Sequence, residues 1–503
     1  MSVTEDEPPP ASQGFARRIG RVQATAINMS QMVGVGPFIT IPLMVVAFGG
    51  PQAIIGWICG GILALADGLI WAELGASMPR AGGSYVYLRE AFQYRTGRLM
   101  PFLFVWTAIL FIPLIMSTGI VGFISYLTYL WPSMTHAQGD LVGLALCVLT
   151  IAVLWRKIDD IGRLTLVLWG VMLVSVGSLI IASFTDFHAH QAFTWPAHAV
   201  DLGASKFWIS FALGLSVGVY DYLGYNTTSY MAAEIKNPGR VIPRSVIYSI
   251  LAVMGIYLLM QVGTLGVVDW HRMLDSNDPA SSSLGSLVLE TAWGKGAAQA
   301  ITVLILVTAF TSVMTGLLGG SRVPHDAAHD KVFFAAFGKL HPKHRFPTVS
   351  LLTMGVIMAA AFCLSRHAGT SWKTPPLAVL ITFLTTVMVI VQSFSQVAAL
   401  VVLRRRQPTL NRPYKMWLYP IPAIIALAGW AVIYVYADKY SDKYNGPGLH
   451  PIEWSLAWVA LGAVAFLIWA RKEKTWPFGP KDIREGFLGP SNSEPEAAVK
   501  EDA

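Results

Sequence analysis

Twelve stretches of this chain are apolar over lengths suited to crossing a bilayer: 22–47, 52–77, 99–131, 141–155, 164–184, 207–233, 243–268, 294–320, 348–365, 376–403, 417–436 and 452–470. A spanning helix needs about 20 such residues. Lipid offers the backbone no partner, so a span must satisfy its own N–H and C=O groups. Runs this long do so as helices, and the chain reads as an all-α polytopic membrane protein with 12 transmembrane helices. The fourth run is the shortest and can borrow residues from its flanks. Composition agrees, with 54% hydrophobic and only 13% charged residues in 503. An average soluble domain carries roughly a quarter charged residues. Cys59, Cys147 and Cys363 all lie inside apolar runs, which argues against a disulfide framework.

The net charge of +7 invites a nucleic-acid or acidic-partner reading until it is sorted by loop. Alternate loops and the two tails hold 29 of the 36 Lys and Arg residues. Lys206, Arg272, Lys295, Arg366, Lys373, Lys439 and Lys443 are the seven on the other side. By the positive-inside rule both termini are expected in the cytoplasm, as an even span count requires. Residues 1–20 are polar and proline-rich without an apolar core, and read as a disordered tail, not a cleaved signal. Residues 475–503 read as a similar cytoplasmic tail. No loop is long enough for an appended domain, so function is expected inside the bundle.

Two spans are interrupted. The first contains Gly34-Val35-Gly36-Pro37, where two glycines weaken the helix and the proline removes a donor. The sixth contains Tyr220-Asp221-Tyr222-Leu223-Gly224-Tyr225-Asn226. Alone, the first could be a packing kink and the second a helix facing a polar core. Together they lie five spans apart, so the second enters from the opposite side. That is the pattern of a five-plus-five inverted repeat with a midplane site between broken helices. The repeats are expected over 21–203 and 204–406, with two extra helices in 407–474.

Glu73-Leu74 followed by Pro79-Arg80-Ala81-Gly82-Gly83-Ser84-Tyr85-Val86-Tyr87 resembles a signature of the amino acid–polyamine–organocation superfamily. Gly34-Val35-Gly36-Pro37-Phe38 is similar to its first-helix glycine motif, and Glu234-Ile235-Lys236-Asn237-Pro238 with Ile242-Pro243-Arg244 to the stretch after its sixth helix. Ser321-Arg322-Val323-Pro324 through Ala328-His329-Asp330 resembles the stretch after its eighth. The likeness covers nearly all of 15–470 and lies between L-type amino acid transporters and polyamine-uptake transporters. It implies a leucine-transporter-like fold and secondary transport by alternating access, with no cofactor.

The resemblance implies a substrate site on the backbone of Val33, Gly34, Val35 and Gly36, where a half-helix N-terminus suits a carboxylate. Val35 departs from the family pattern, which has a hydroxyl residue there. The carbonyls ending the first half of the sixth span are expected to accept from an ammonium group, with Gly224 in the same break. Tyr220 stands where the family places an aromatic gate, although a core tyrosine would look the same. Asp221 is an ionisable residue at mid-depth, which is costly and usually functional. It reads as a contact for a cationic part of the substrate or a coupling group, with a structural partner such as a nearby hydroxyl as the alternative. Asp67 reads as a hydrogen-bonded bundle residue or a proton carrier, and Glu73 and Glu234 as inner-gate or salt-bridge residues. The fifth span, Leu164 to Phe184, lacks the lysine that many family members carry. Thr311 and Ser312 are the residue types that could ligate sodium, or simply bond backbone. Proton coupling, exchange and uniport stay open beside sodium. Gly83–Thr96 and Ser283–Trp293 read as short amphipathic helices lying on the bundle.

Catalysis finds no support, since the histidines fall in loops without zincin spacing or a nucleophile elbow, and there is no P-loop. An organic amine or polyamine transporter is the first alternative, and a transporter-fold nutrient sensor without net flux the second. L-type relatives attach a heavy subunit through an outside-loop cysteine, and no cysteine here occupies such a loop, so a covalent partner is not expected.

Overall fold

The computed structural model describes residues 17–478 apart from 81, 156–157, 198, 276–277, 345, 372–375 and 445–449. Most of both expected tails, and the loop cations Arg156, Lys157, Arg345 and Lys373, lie outside the described residues. Every regular element among those described is helical, and two isolated bridges, Ile19 with Ile235 and Leu340 with Pro347, are the extended pairings.

The first half runs through α1 (Arg21–Met32), α2 (Gly36–Phe48), α3 (Ile54–Ser77), α4 (Ser84–Thr96), α5 (Leu99–Leu130), α6 (His136–Leu154), α7 (Ile158–Thr185) and the short α8 (Ala189–Phe193). The second begins with α9 (Ser205–Tyr222), the four-residue α10 (Thr227–Tyr230), α11 (Pro238–Val267) and α12 (Trp270–Met273). It continues through α13 (Leu284–Trp293), α14 (Lys295–Gly320), α15 (Arg322–His329), α16 (Thr348–Ser371), α17 (Pro376–Met388) and α18 (Phe394–Arg406). The last two helices are α19 (Ile421–Tyr444) and α20 (Pro451–Lys472).

Among the described residues ten helices are long and apolar enough to cross a membrane, or eleven if α1 and α2 count as one span bent by 43°. The bend falls where Gly34 and Gly36 lower helix propensity and Pro37 can only open a new helix. The stretch 207–233 is interrupted within Tyr220–Asn226, where the sequence placed the second break. It forms α9, turns extended at Leu223, passes Gly224 at φ +128° and resumes as α10. The short fourth span gains length at its start, where Thr135 caps α6 and Gln138 bonds back.

The broken helices are central. Every residue of α1 from Ala26 to Met32 is buried, as is nearly all of α2. Around them, α3 packs on α11 and α9, and α5 on α14, α16 and α17. The outer helices turn bare aliphatic ridges outward, such as Leu141, Val148 and Leu149 of α6 and Leu461, Val464 and Ile468 of α20. Water would penalise apolar faces of this extent, whereas lipid does not. The chain is therefore an integral membrane protein. The 2–3 loop helix α4 sits deeper than expected: Arg89, Glu90 and Gln93 are buried with its apolar residues, because α5 and α18 cover it.

Candidate functional site

The two breaks meet. Asn28 of α1 donates from Nδ2 to the Tyr225 carbonyl (2.8 Å) and accepts at Oδ1 from the Thr228 N–H (3.1 Å). Tyr257 of α11 donates toward both the Met32 carbonyl (2.7 Å) and the Asp221 carbonyl (3.0 Å). These are the last turns of α1 and α9, whose terminal carbonyls have no partner in their own helix. Side chains from elsewhere thus hold the broken ends in register.

Asp221 lies against the start of α2. One carboxylate oxygen, Oδ2, accepts from the Thr40 hydroxyl, and the other, Oδ1, is buried without a hydrogen-bond partner. A Cβ added at Gly36 would overlap Oδ1, so the carboxylate approaches α2 as closely as a missing side chain permits. Gly36 opens α2, and the N–H groups of such a first turn lack a carbonyl one turn back. The positive end of α2 therefore faces a carboxylate supplied by the protein itself. Gly224 has the same kind of reason: a side chain there would run into Gln31. The Tyr220 hydroxyl pairs with that of Thr118 on α5.

A small cavity, with room for about one water molecule, lies among Gln31, Gly34, Gly36, Tyr220, Asp221 and Ser312. Val35 also lines it, while Val33 does not. Gly224 lines a second small space with Asn226, Tyr230 and Gln392, and the two share Gln31, Ile115, Met116 and Leu223. Of the hydroxyl pair on α14, Ser312 lines the first cavity and donates to the Gln31 carbonyl (3.0 Å). Thr311 instead donates to Val307 of its own helix (2.8 Å).

The remaining carboxylates lie elsewhere. Asp67 accepts from Tyr225 (2.6 Å), Trp71 (3.0 Å) and Trp430 (3.4 Å), which ties α3 and α19 to the α9–α10 break. Glu73 accepts from Arg404 Nε (2.8 Å) and the Met416 N–H (2.7 Å). Glu234 pairs with Arg322 Nε (3.0 Å), and its carbonyl accepts from the N–H groups of Arg18 and Ile19. Ile19 is buried there, so the chain just before α1 forms part of this closure. Asn28, Gln31, Thr40, Thr118 and Tyr257 escaped the sequence reading. Each is a polar side chain inside an apolar run, a signal too common in membrane helices to single them out.

A family model for amino acid permeases matches residues 19–466. The chain belongs to the amino acid permease family. Its relatives include a serine/threonine exchanger from Bacillus subtilis, 26% identical over 83% of this chain and 90% of that one. The large neutral amino acids transporter small subunit 2 of Oryctolagus cuniculus is 26% identical, covering 89% and 81% of the two chains. A methylthioribose transporter from Bacillus subtilis is 23% identical, covering 92% and 95%. This permease is thus one of a family of transporters, not enzymes.

Proposed function

We propose that this permease carries amino acids across the plasma membrane by alternating access, with the substrate between α1–α2 and α9–α10. The proposed architecture is two inverted five-helix repeats plus two further helices, twelve spans in all, with both termini in the cytoplasm. Family membership supports the amino acid substrate, and the two meeting breaks support the location.

The observation that carries the site reading is the bare Oδ1 of Asp221 at the cavity. A buried carboxylate oxygen without a donor is costly unless a ligand supplies one. An ammonium group is the natural complement, so Asp221 reads the cationic end of the substrate while backbone of Gly34–Gly36 and the Tyr220 side chain enclose the rest. The relatives' names span neutral amino acids and a thiosugar, so the particular substrate is not carried over from them.

The test is a thermal-shift screen of amino acids and amines on the purified protein, followed by uptake of the stabilising compounds into proteoliposomes. Asp221→Asn should raise KM by roughly 10- to 100-fold, the loss of one charge-assisted contact, or redirect uptake to another substrate. Unchanged transport of every compound would sink the reading. Stabilisation by amines alone would favour the organic-amine alternative, because the bare oxygen asks for a cation and not for a carboxylate. Binding without accumulation would favour a sensor. Replacing sodium in the same assay decides whether Ser312 and the Gln31 carbonyl belong to a coupling-ion site.

A further inference from the structure

Asp326 of α15 is fully buried, and neither of its carboxylate oxygens has a hydrogen-bond partner. It lies outside the substrate cavity, at the end of the bundle where Arg18 and Ile19 meet Glu234. The charges around it come from Arg322 on its own helix, Asp330 just past that helix's end, Glu234 from the 3-10 turn Ala232–Glu234, and Arg80 from the 2–3 loop. His325 Nε2 is 4.0 Å from Oδ1. The guanidinium groups are engaged elsewhere: Arg322 Nε with Glu234 (3.0 Å), and Arg89 with Asp330 (3.0 Å), which also accepts from Tyr85 (2.6 Å). Of the other elements packed on α15, α5 and the turn Ala335–Gly338 carry no Asp, Glu, His, Lys or Arg. The Lys, Arg and His residues of α14 and α16, Lys295, Arg366 and His367, fall more than about 25 Å along those helices from the ends nearest α15 in the chain.

An ionised carboxylate without a donor costs several kcal/mol in a dry interior, and Glu234 and Asp330 add like-charge repulsion. As a neutral acid the group avoids most of that cost. We propose that Asp326 is a proton-binding site of the inner gate, loaded while this end of the bundle is closed and emptied when it opens. On opening, the O–H bond of Asp326 breaks, the proton passes to water in the aqueous phase, and the carboxylate left behind resists closure among α15, Glu234 and Asp330. Gate closure then takes up one proton whatever the substrate. The consequence for transport rests on the alternating-access reading, but the proton site itself needs no substrate to be seen.

The test is infrared spectroscopy on the full-length protein in lipid, titrated between about pH 5 and pH 9. A protonated-carboxyl carbonyl band should titrate in the unsubstituted protein, vanish in Asp326→Asn, and persist in Asp67→Asn and Asp221→Asn. Hydrogen exchange of segments 231–236 and 322–330, corrected for intrinsic rates, is the second readout. Opening linked to one proton rises up to about tenfold per pH unit, and should become flat in Asp326→Asn. Asp326→Ser gives the same flat profile should the asparagine variant fail to fold. A band that survives loss of Asp326, the absence of any titrating carboxyl, or an unchanged exchange profile overturns the proposal. A protein that passes both tests but moves no amino acid would refute the transport reading alone.

Discussion

The Tyr257 hydroxyl lies 2.7 Å from the Met32 carbonyl oxygen, so a side chain of α11 grips α1 at the residue where that helix stops. The same hydroxyl is 3.0 Å from the Asp221 carbonyl. One phenol hydroxyl therefore serves both broken helices.

Tyr257→Phe keeps the ring, which packs against Trp57 and Tyr222, and removes only this link. Two buried carbonyls lose their shared donor, an expected cost of about 1–3 kcal/mol. Thermal unfolding in detergent should register that loss. Uptake should fall further than stability does, since the breaks no longer hold their spacing, and equal uptake by matched amounts of folded protein would contradict this role.

Gly36→Ala places a methyl where Asp221 Oδ1 now sits. The carboxylate must leave Thr40 or α2 must shift, and both distort the cavity. Transport should drop by at least about tenfold, the effect of roughly 1.4 kcal/mol at the site. Gly255→Ala on α11 is the control, because a Cβ there meets open space. Uptake by the two variants, normalised to expression, decides whether close approach at Gly36 matters.

Asp67→Asn separates structure from coupling. Three donors converge on Asp67, and an amide must turn its own NH₂ toward at least one of them. The expected result is destabilisation by about 1–3 kcal/mol with the pH profile of uptake unchanged in shape. A profile that flattens in this variant would make Asp67 a proton carrier after all.

The spans were legible because lipid imposes one rule on every residue of a crossing helix, so a run such as 99–131 announces itself without knowledge of its neighbours. The break at Gly34–Pro37 was legible for a local reason too, since glycine and proline act on their own backbone. The break in the sixth span was legible as a polar and aromatic stretch, Tyr220–Asn226, inside an otherwise apolar run. That Gly224 sits at φ +128° with no room for a side chain against Gln31 shows only in the packing. Asp67 shows the other limit. Two of its partners, Tyr225 and Trp430, lie 158 and 363 residues away in the chain, and no local pattern connects them.

By itself, then, the sequence determined that this chain crosses a membrane many times, breaks its first and sixth spans, and carries Asp67 and Asp221 where charge is expensive. Those are properties of single segments in a uniform solvent. What each carboxylate does was decided by tertiary structure, because a buried charge takes its meaning from the donors around it. Three donors satisfy Asp67, one hydroxyl leaves Asp221 half-open at the cavity, and Asp326 is left with none.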